Sequence, residues 1–287
     1  AKERFSSFEK VFEKEYKSFS TGKSDINGNV ERLFLCETYD GLIKSPDLAC
    51  PINYTGGKYK LLPQLKQFFP KTSCFLDLFA GGCNVGINSE STKIVFNDKN
   101  KDIIDLMQYL KITDTEKVLD CIDKIIKDYN LSRTDVYGYD YYNCNSSNGL
   151  AKYNKDKFLK LREDYNLKTK KKEKDLVMLY VLIVFSFNNQ IRFNRKGEFN
   201  LPVGKRDFNH KMRNKLILFS EALKKKDYIF MSKDFREVDL VGLSKDAFIY
   251  CDPPYLITLA TYNEGGSWKE EDERDLLIFL DQADELG

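Results

Sequence analysis

Asp77-Leu78-Phe79-Ala80-Gly81-Gly82-Cys83-Asn84-Val85-Gly86 follows directly on the apolar run Cys74-Phe75-Leu76. A short apolar run that ends in small residues reads as a buried strand entering a tight loop. Glycines in such a loop let the backbone approach a ligand closely. A second apolar run, Ile94-Val95-Phe96-Asn97, ends at Asp98. Asp98 stands roughly 20 residues beyond Asp77, the interval at which an acid accepts hydrogen bonds from ribose hydroxyls in a nucleoside-binding βαβ unit. Ile103, Ile104, Met107 and Leu110 then recur at helical spacing. Strand, loop, helix, strand, helix predicts a doubly wound α/β fold built on a parallel sheet. The G-x-G-x-x-G pattern suited to a pyrophosphate cofactor such as NAD is absent, so a nicotinamide oxidoreductase is a distant reading.

Outward from this nucleus, Leu61, Leu62, Leu65, Phe68 and Phe69 give a helical pattern before the first strand. Strand patterns resume at Tyr228-Ile229-Phe230-Met231 and at Ala247-Phe248-Ile249-Tyr250-Cys251. The sheet domain is therefore discontinuous, formed by residues 44–114 and 214–287. Residues 115–213 read as an insertion, with helical periodicity at Val118, Leu119, Ile122, Ile125 and Ile126. A loop rich in Tyr and Asn follows, then helices near 155–165 and 175–187. Residues 1–43 form an appendage in which Phe8, Val11, Phe12, Tyr16 and Phe19 share one helical face.

Composition narrows the chemistry. In 287 residues there is no apolar run near the ~18 residues that a membrane span requires. The N-terminus has no apolar leader segment, and the seven cysteines include no C-x-x-C pair, which together predict a reduced, cytoplasmic setting. A lone histidine, His210, excludes H-E-x-x-H zinc hydrolysis and multi-histidine metal sites, so no metal is expected. The net charge of +2 does not by itself announce a nucleic-acid partner. Lys168 to Lys174 is a basic run that reads as a solvated loop or as part of a phosphate-facing surface.

Asp252-Pro253-Pro254-Tyr255 follows the last strand pattern. Two prolines fix φ and supply no N–H, so they hold a rigid extended corner whose carbonyls remain acceptors. Together with the Asp252 carboxylate, such a corner can accept both hydrogens of an exocyclic amine and aim its lone pair at an electrophile. Tyr255 offers a ring face to a flipped base. In isolation an Asp-Pro-Pro turn at a strand end serves packing equally well. Phe187 to Arg206 reads as a β-hairpin turning near Lys196-Gly197, with amides, basic groups and aromatics interleaved as in base-edge and phosphate readers.

These motifs, in this order, resemble those of the Dam-type family of S-adenosylmethionine-dependent DNA adenine-N6 methyltransferases over roughly residues 51–287. Tyr54-Thr55-Gly56-Gly57-Lys58 is similar to the family's N-terminal cofactor motif, Asp77 to Gly86 to its methionine-side loop, Asn97-Asp98 to its ribose-binding acid, and Asp234-Phe235 to the motif before its catalytic strand. Asp252 to Tyr255 matches its catalytic tetrapeptide without change. The resemblance implies a Rossmann-like methyltransferase sheet with an inserted helical and β-hairpin DNA-recognition domain, and S-adenosyl-L-methionine as cofactor. It implies cofactor contacts at Tyr54, Gly56, Gly57, Lys58, Asp77, Phe79, Gly81, Gly82, Asp98, Asp234, Phe235 and Asp252, and catalysis at Asp252, Pro253, Pro254 and Tyr255. DNA contacts are implied at Asn188, Asn189, Gln190, Arg192, Asn194, Lys205 and Arg206, with Arg192 in the position that meets a guanine.

Two positions depart from the pattern. Gln190 stands where an apolar wedge is common, and Arg206 stands where GATC-specific members usually carry Tyr, so the target sequence is left open. Family members also continue beyond the catalytic tetrapeptide with further strands, so the expectation is a catalytic domain truncated at its C-terminus. The expected activity is site-specific adenine methylation of double-stranded DNA by a monomer with no membrane partner, in a restriction-modification system whose companion endonuclease need not be bound. The alternatives are a non-catalytic DNA-binding protein of the same fold, or a methyltransferase acting on cytosine amino groups or RNA.

Overall fold

The computed structural model describes residues 47–168, 172–254 and 268–286. The amphipathic pattern of the appendage, the middle of the 168–174 basic run and Tyr255 lie outside these residues. Strands β1 (Cys74–Asp77), β2 (Lys93–Asn97), β3 (Asp227–Met231) and β4 (Phe248–Tyr250) pair in the order β3-β2-β1-β4, every pair parallel. In β1 all four residues are buried, because a parallel sheet is covered on both faces and its strands are apolar throughout instead of alternating with polar residues.

Among the described residues six longer helices share hydrophobic cores with the sheet: α1 (Lys101–Ile112), α2 (Thr115–Asp128), α3 (Ala151–Asn166), α4 (Glu173–Phe185), α5 (His210–Ala222) and α6 (Glu270–Glu285). The two-residue period of the strands sorts the core. Phe75, Ile94, Phe96 and Tyr228 face the cluster built with α1 to α5, whereas Cys74, Leu76, Leu78 and Val95 face a second cluster with Leu276 and Phe279 of α6. This is the doubly wound fold that the strand and helix alternation predicts. Residues 47–287 form one compact unit, and the helices of 115–213 share a continuous core with the sheet instead of being set apart by a gap. The link is α4, whose residues Val177 to Phe185 are all buried and which packs against α1, α2 and α3. At 13 residues α4 is too short for a bilayer, and no helix among the described residues is long and apolar enough to cross a membrane.

Two local expectations need correction. The pattern at 61–69 forms no continuous α-helix but a chain of short turns, Tyr59–Leu61, Leu62–Leu65 and Lys66–Phe68. Pro70 forces Phe69 into extended backbone (φ −76°, ψ 120°), and Leu61 and Phe68 stay exposed. The 187–206 segment is also not a regular hairpin. It closes on two isolated antiparallel bridges, Phe193 with Phe199 and Ser186 with Val203, around a turn at Asn194–Gly197. Consecutive left-handed residues Asn188 (φ 57°) and Asn189 (φ 53°) break its first arm before a ladder can form.

Candidate active site

The strand order makes a topological switch point between β1 and β4, since the chain leaves β1 toward β2 and later returns on the opposite side. In an open parallel sheet a crevice forms there, beyond the carboxyl ends of the strands. A cleft of about 1250 Å³ occupies this place, and Asp77, Asp98 and Asp252, each at or just past a strand end, all line it.

The glycine loop is held by carboxylates. Asp98 accepts from the Gly81 N–H at 2.7 Å and from the Asn100 N–H at 2.8 Å, so one side chain anchors both the loop after β1 and the entry to α1. Asp77 accepts from the Gly86 N–H at 2.9 Å. Gly81 has φ +48°, and a Cβ there would lie 2.7 Å from the ring of Tyr54, which rests on its backbone. The next residues carry Gly56 (φ +78°), Gly57 and Lys58, also at the cleft.

Asn97 joins three strand ends. Its amide donates to the carbonyls of Leu78 and Lys233 at 3.2 Å each, and its oxygen accepts from the Lys233 N–H at 3.2 Å. That fixes Asp234 and Phe235 beside the glycine loop. The Phe235 ring packs against Phe79 and Trp268 at 5.7 Å each, forming an aromatic wall. Arg236 then clamps the wall. Its guanidinium meets Asp234 at 3.0 Å, Asp272 at 2.7 Å and Asp275 at 2.6 Å, and lies 4.5 Å over the Phe235 ring. Past β4, Asp252 pairs with the Lys58 ammonium at 2.6 Å, and that ammonium also donates to the Gly56 carbonyl at 3.0 Å.

Burial dominates the electrostatics of the two loop-holding acids. It pushes the Asp77 carboxyl up to about 7 against the opposing Gly86 N–H, with Asp98 and Asp252 adding repulsion. Burial also raises Asp98, although the Asn100 and Gly81 N–H groups pull it back. For Asp234 burial acts upward as well, but the Arg236 and Lys99 donors prevail and hold it below the usual range. Because the folded pKa of Asp77 exceeds the ~3.9 of an unfolded chain, the native state binds the extra proton. Its stabilisation is complete below about pH 4 and is lost as pH rises through about 7. Asp77→Asn is expected to flatten that decline in urea midpoints measured between about pH 5 and about pH 8. An unchanged slope would assign the titration to another group.

All the cofactor positions named from sequence border this one cleft, as do Pro253 and Pro254 and, of the expected DNA contacts, Gln190 and Arg192. Asn188, Asn189, Asn194, Lys205 and Arg206 do not line it. The Asn189 amide is turned inward onto the Val184 carbonyl, and Asn194 builds the turn, accepting from the Lys196 and Glu198 N–H groups at 2.9 and 3.0 Å. Arg192 is braced by Asn200 Oδ1 at 2.8 Å, and Arg206 donates to the Tyr139 hydroxyl at 3.1 Å. Sequence reasoning missed Asn97 as a joint, Trp268 and the Arg236 clamp. Arg236 adjoins a recognised motif, but its partners Asp272 and Asp275 stand 36 and 39 residues away, and no spacing rule connects them.

Residues 54–285 match the model of the D12 class N6 adenine-specific DNA methyltransferases. The chain belongs to this family. It is 36% identical to modification methylase StsI of Streptococcus sanguinis over 287 residues, which cover 98% of this chain and 39% of that protein. It is 38% identical to type II methyltransferase M.FokI of Planomicrobium okeanokoites over 244 residues, 83% of this chain and 34% of that one. A DNA adenine methylase of Serratia marcescens is 27% identical over 212 residues, 74% of this chain and 68% of the relative. The chain thus spans about two-fifths or less of the length of the first two. With the family comes its cofactor, S-adenosyl-L-methionine. The cleft of this D12 chain fits that group: a glycine-floored cradle that a Cβ would fill, a buried acid for a diol, and an aromatic wall for a purine.

Proposed function

We propose that this chain is the catalytic part of a site-specific DNA adenine methyltransferase, which binds duplex DNA, takes up an adenine beside Asp252-Pro253-Pro254 and methylates its exocyclic nitrogen. The observation that supports this most directly is convergence. The acid at the end of β4 opens into the same cleft as the glycine loop and Asp98, and Gln190 and Arg192 of the reading loop border it too.

Gly81, Gly82 and Asp98 would hold the cofactor's amino-acid and ribose portions, Phe79 and Phe235 would hold its adenine, and Tyr54 would close over the glycine loop. When bound, the cofactor supplies an electrophilic methyl group on a sulfonium. Asp252 and the corner carbonyls accept the two hydrogens of the target amine, which directs its lone pair along the line of transfer. After accepting the methyl group the amine would hand its surplus proton to the Asp252 carboxylate and so to solvent. The carboxylate offsets positive charge growing on nitrogen before that release. Lys58 has to yield Asp252 to the incoming amine, so the ion pair is a placeholder that keeps the partly buried acceptor satisfied until a base arrives. Tyr255 would stack on the base. Of the reading-loop residues, Arg192 is preset by Asn200 for a guanine edge, Asn188, Gln190, Lys205 and Arg206 complete the contact surface, and Asn189 and Asn194 shape the loop instead of touching DNA.

The relatives named as a modification methylase and as a type II methyltransferase support placing the protein in a restriction-modification pair. Within this reading, residues 115–213 carry target recognition, and residues 44–114 with 214–287 carry catalysis. The test is transfer of labelled methyl from S-adenosyl-L-methionine to unmethylated bacterial DNA, followed by nucleoside analysis and mapping of modified positions. N6-methyladenine at one short motif is the expected result. Methylcytosine, or no transfer although cofactor and DNA both bind, would overturn the reading.

A further inference from the structure

We propose that the tyrosine-rich segment 134–153 is a second DNA-contact surface, gripping the phosphodiester backbone beside the bases read by the 186–206 loop; this rests on the DNA-binding function proposed above. Tyr137 and Tyr141 are 54% and 64% exposed, yet they are not isolated surface rings. Tyr137 stacks on Tyr141 at 4.7 Å, Tyr141 meets Tyr142 edge-on at 5.0 Å, and Tyr142 meets Tyr153 at 4.6 Å. The Lys157 ammonium closes the series, 3.1 Å from the Tyr153 ring centre. A run of aromatic side chains held at the surface asks for a partner.

The chemistry of the run selects the partner. The rings spend much of their faces on one another, and the Tyr142 hydroxyl accepts from the Arg133 N–H at 2.7 Å, so the exposed Tyr137 and Tyr141 are the rings left to offer hydroxyls to a partner, with Lys157 at the end of the row. Tyrosine hydroxyls and lysine ammoniums are donors to phosphate oxygens. The surrounding charge agrees: Lys152, Lys155, Lys205 and Arg206 are exposed, against exposed acids at Asp140 and Asp156, while Asp135 is neutralised by Arg133 at 2.8 Å.

The segment is also bolted to the reading loop. The Leu150 N–H donates to the Lys205 carbonyl at 3.1 Å, the Lys205 ammonium to the Ser147 carbonyl at 3.1 Å, and the Arg206 guanidinium to the Tyr139 hydroxyl at 3.1 Å. Gly149 lies so close to Lys205 that a Cβ would come within 2.5 Å of its side chain. Beneath them the buried Asp207 carboxylate accepts from Thr134 Oγ1 and the Thr134 N–H at 2.7 Å each, and from Ser132 Oγ at 3.1 Å. The loop end and the tyrosines therefore present themselves together, and a duplex held by one meets the other.

Binding of a fluorescein-labelled duplex of arbitrary sequence, about 40 base pairs long, isolates backbone contacts and needs no knowledge of the target. Lys157→Gln is expected to reduce the slope of log affinity against log salt by about 0.9. The double variant Tyr137→Phe, Tyr141→Phe is expected to weaken binding roughly five- to tenfold with the slope unchanged. Both variants should bind S-adenosyl-L-methionine as the parent does, which checks that they fold. Parent-like affinity and slope in both, with the parent binding DNA, would overturn this surface alone. A parent protein that binds no duplex would overturn the surface and the DNA-binding function together.

Discussion

Asp252→Ala is expected to reduce the rate of methyl transfer at saturating cofactor and DNA by about 10³-fold, with duplex affinity unchanged within a few-fold. The loss follows from what Asp252 alone supplies, a carboxylate at the end of β4 on the same cleft as the glycine loop. Alanine removes an acceptor for the target amine and the charge that offsets its developing positive nitrogen. It also strips the Lys58 ammonium of a partner at 2.6 Å, leaving that cation beside the place an incoming base would occupy. DNA affinity should survive because the reading loop is braced by its own contacts, Arg192 with Asn200 and Arg206 with Tyr139. Single-turnover methylation paired with anisotropy binding separates the two quantities. Near-normal turnover would sink the assignment of Asp252, and a matched collapse of DNA affinity would mean that the residue serves structure.

Gly81→Ala should weaken cofactor binding roughly 30- to 100-fold, combining about 1–2 kcal/mol for an L-residue at positive φ with a steric cost. The backbone there has φ +48°, and the new methyl would sit 2.7 Å from Tyr54 Cδ1. Relief requires either the Tyr54 ring to lift or the loop to slide off the Asp98 carboxylate, which holds the Gly81 N–H at 2.7 Å. Gly82→Ala is the internal comparison. Its Cβ would meet Asn84, Cys50 and Tyr54 no closer than 3.3 Å and without positive φ, so a milder loss is expected. Calorimetric titration with S-adenosyl-L-methionine reads both, and equal affinities for the two variants would show that the close approach at Gly81 is not part of the site.

The parts legible in sequence were those set by local or strongly periodic physics. β1 and β2 are short, apolar and buried on both faces, so Cys74 to Asp77 and Lys93 to Asn97 announce themselves. The glycine loop and Asp98 follow from the demands of a nucleoside at a strand end. Less legible were features decided by neighbours distant in sequence. The Leu61 to Phe69 pattern has helical spacing, but Pro70 and the exposed Leu61 and Phe68 left it without a continuous helix. The reading loop lost its strand ladder to two asparagines in the left-handed region, a choice that serves its docking and not its own pairing. The aromatic wall and its Arg236 clamp join β1, the 234–237 turn and α6, an arrangement that only the folded chain assembles.

Under the proposed DNA reading, the two left-handed asparagines would also tie recognition to chemistry. Their carbonyls are held by Asn53, whose N–H donates to Asn189 at 3.1 Å and whose amide donates to Asn188 at 2.8 Å. Asn53 is followed in the chain by Tyr54, the residue that rests on Gly81. A duplex that shifts the 188–189 turn must stretch those two bonds or drag the floor of the cleft with it. Within that proposal, thermodynamic linkage would run in both directions with the same factor: strain that the correct sequence relieves at the turn would appear as tighter methyl-donor binding, and a loaded cleft would favour that sequence equally.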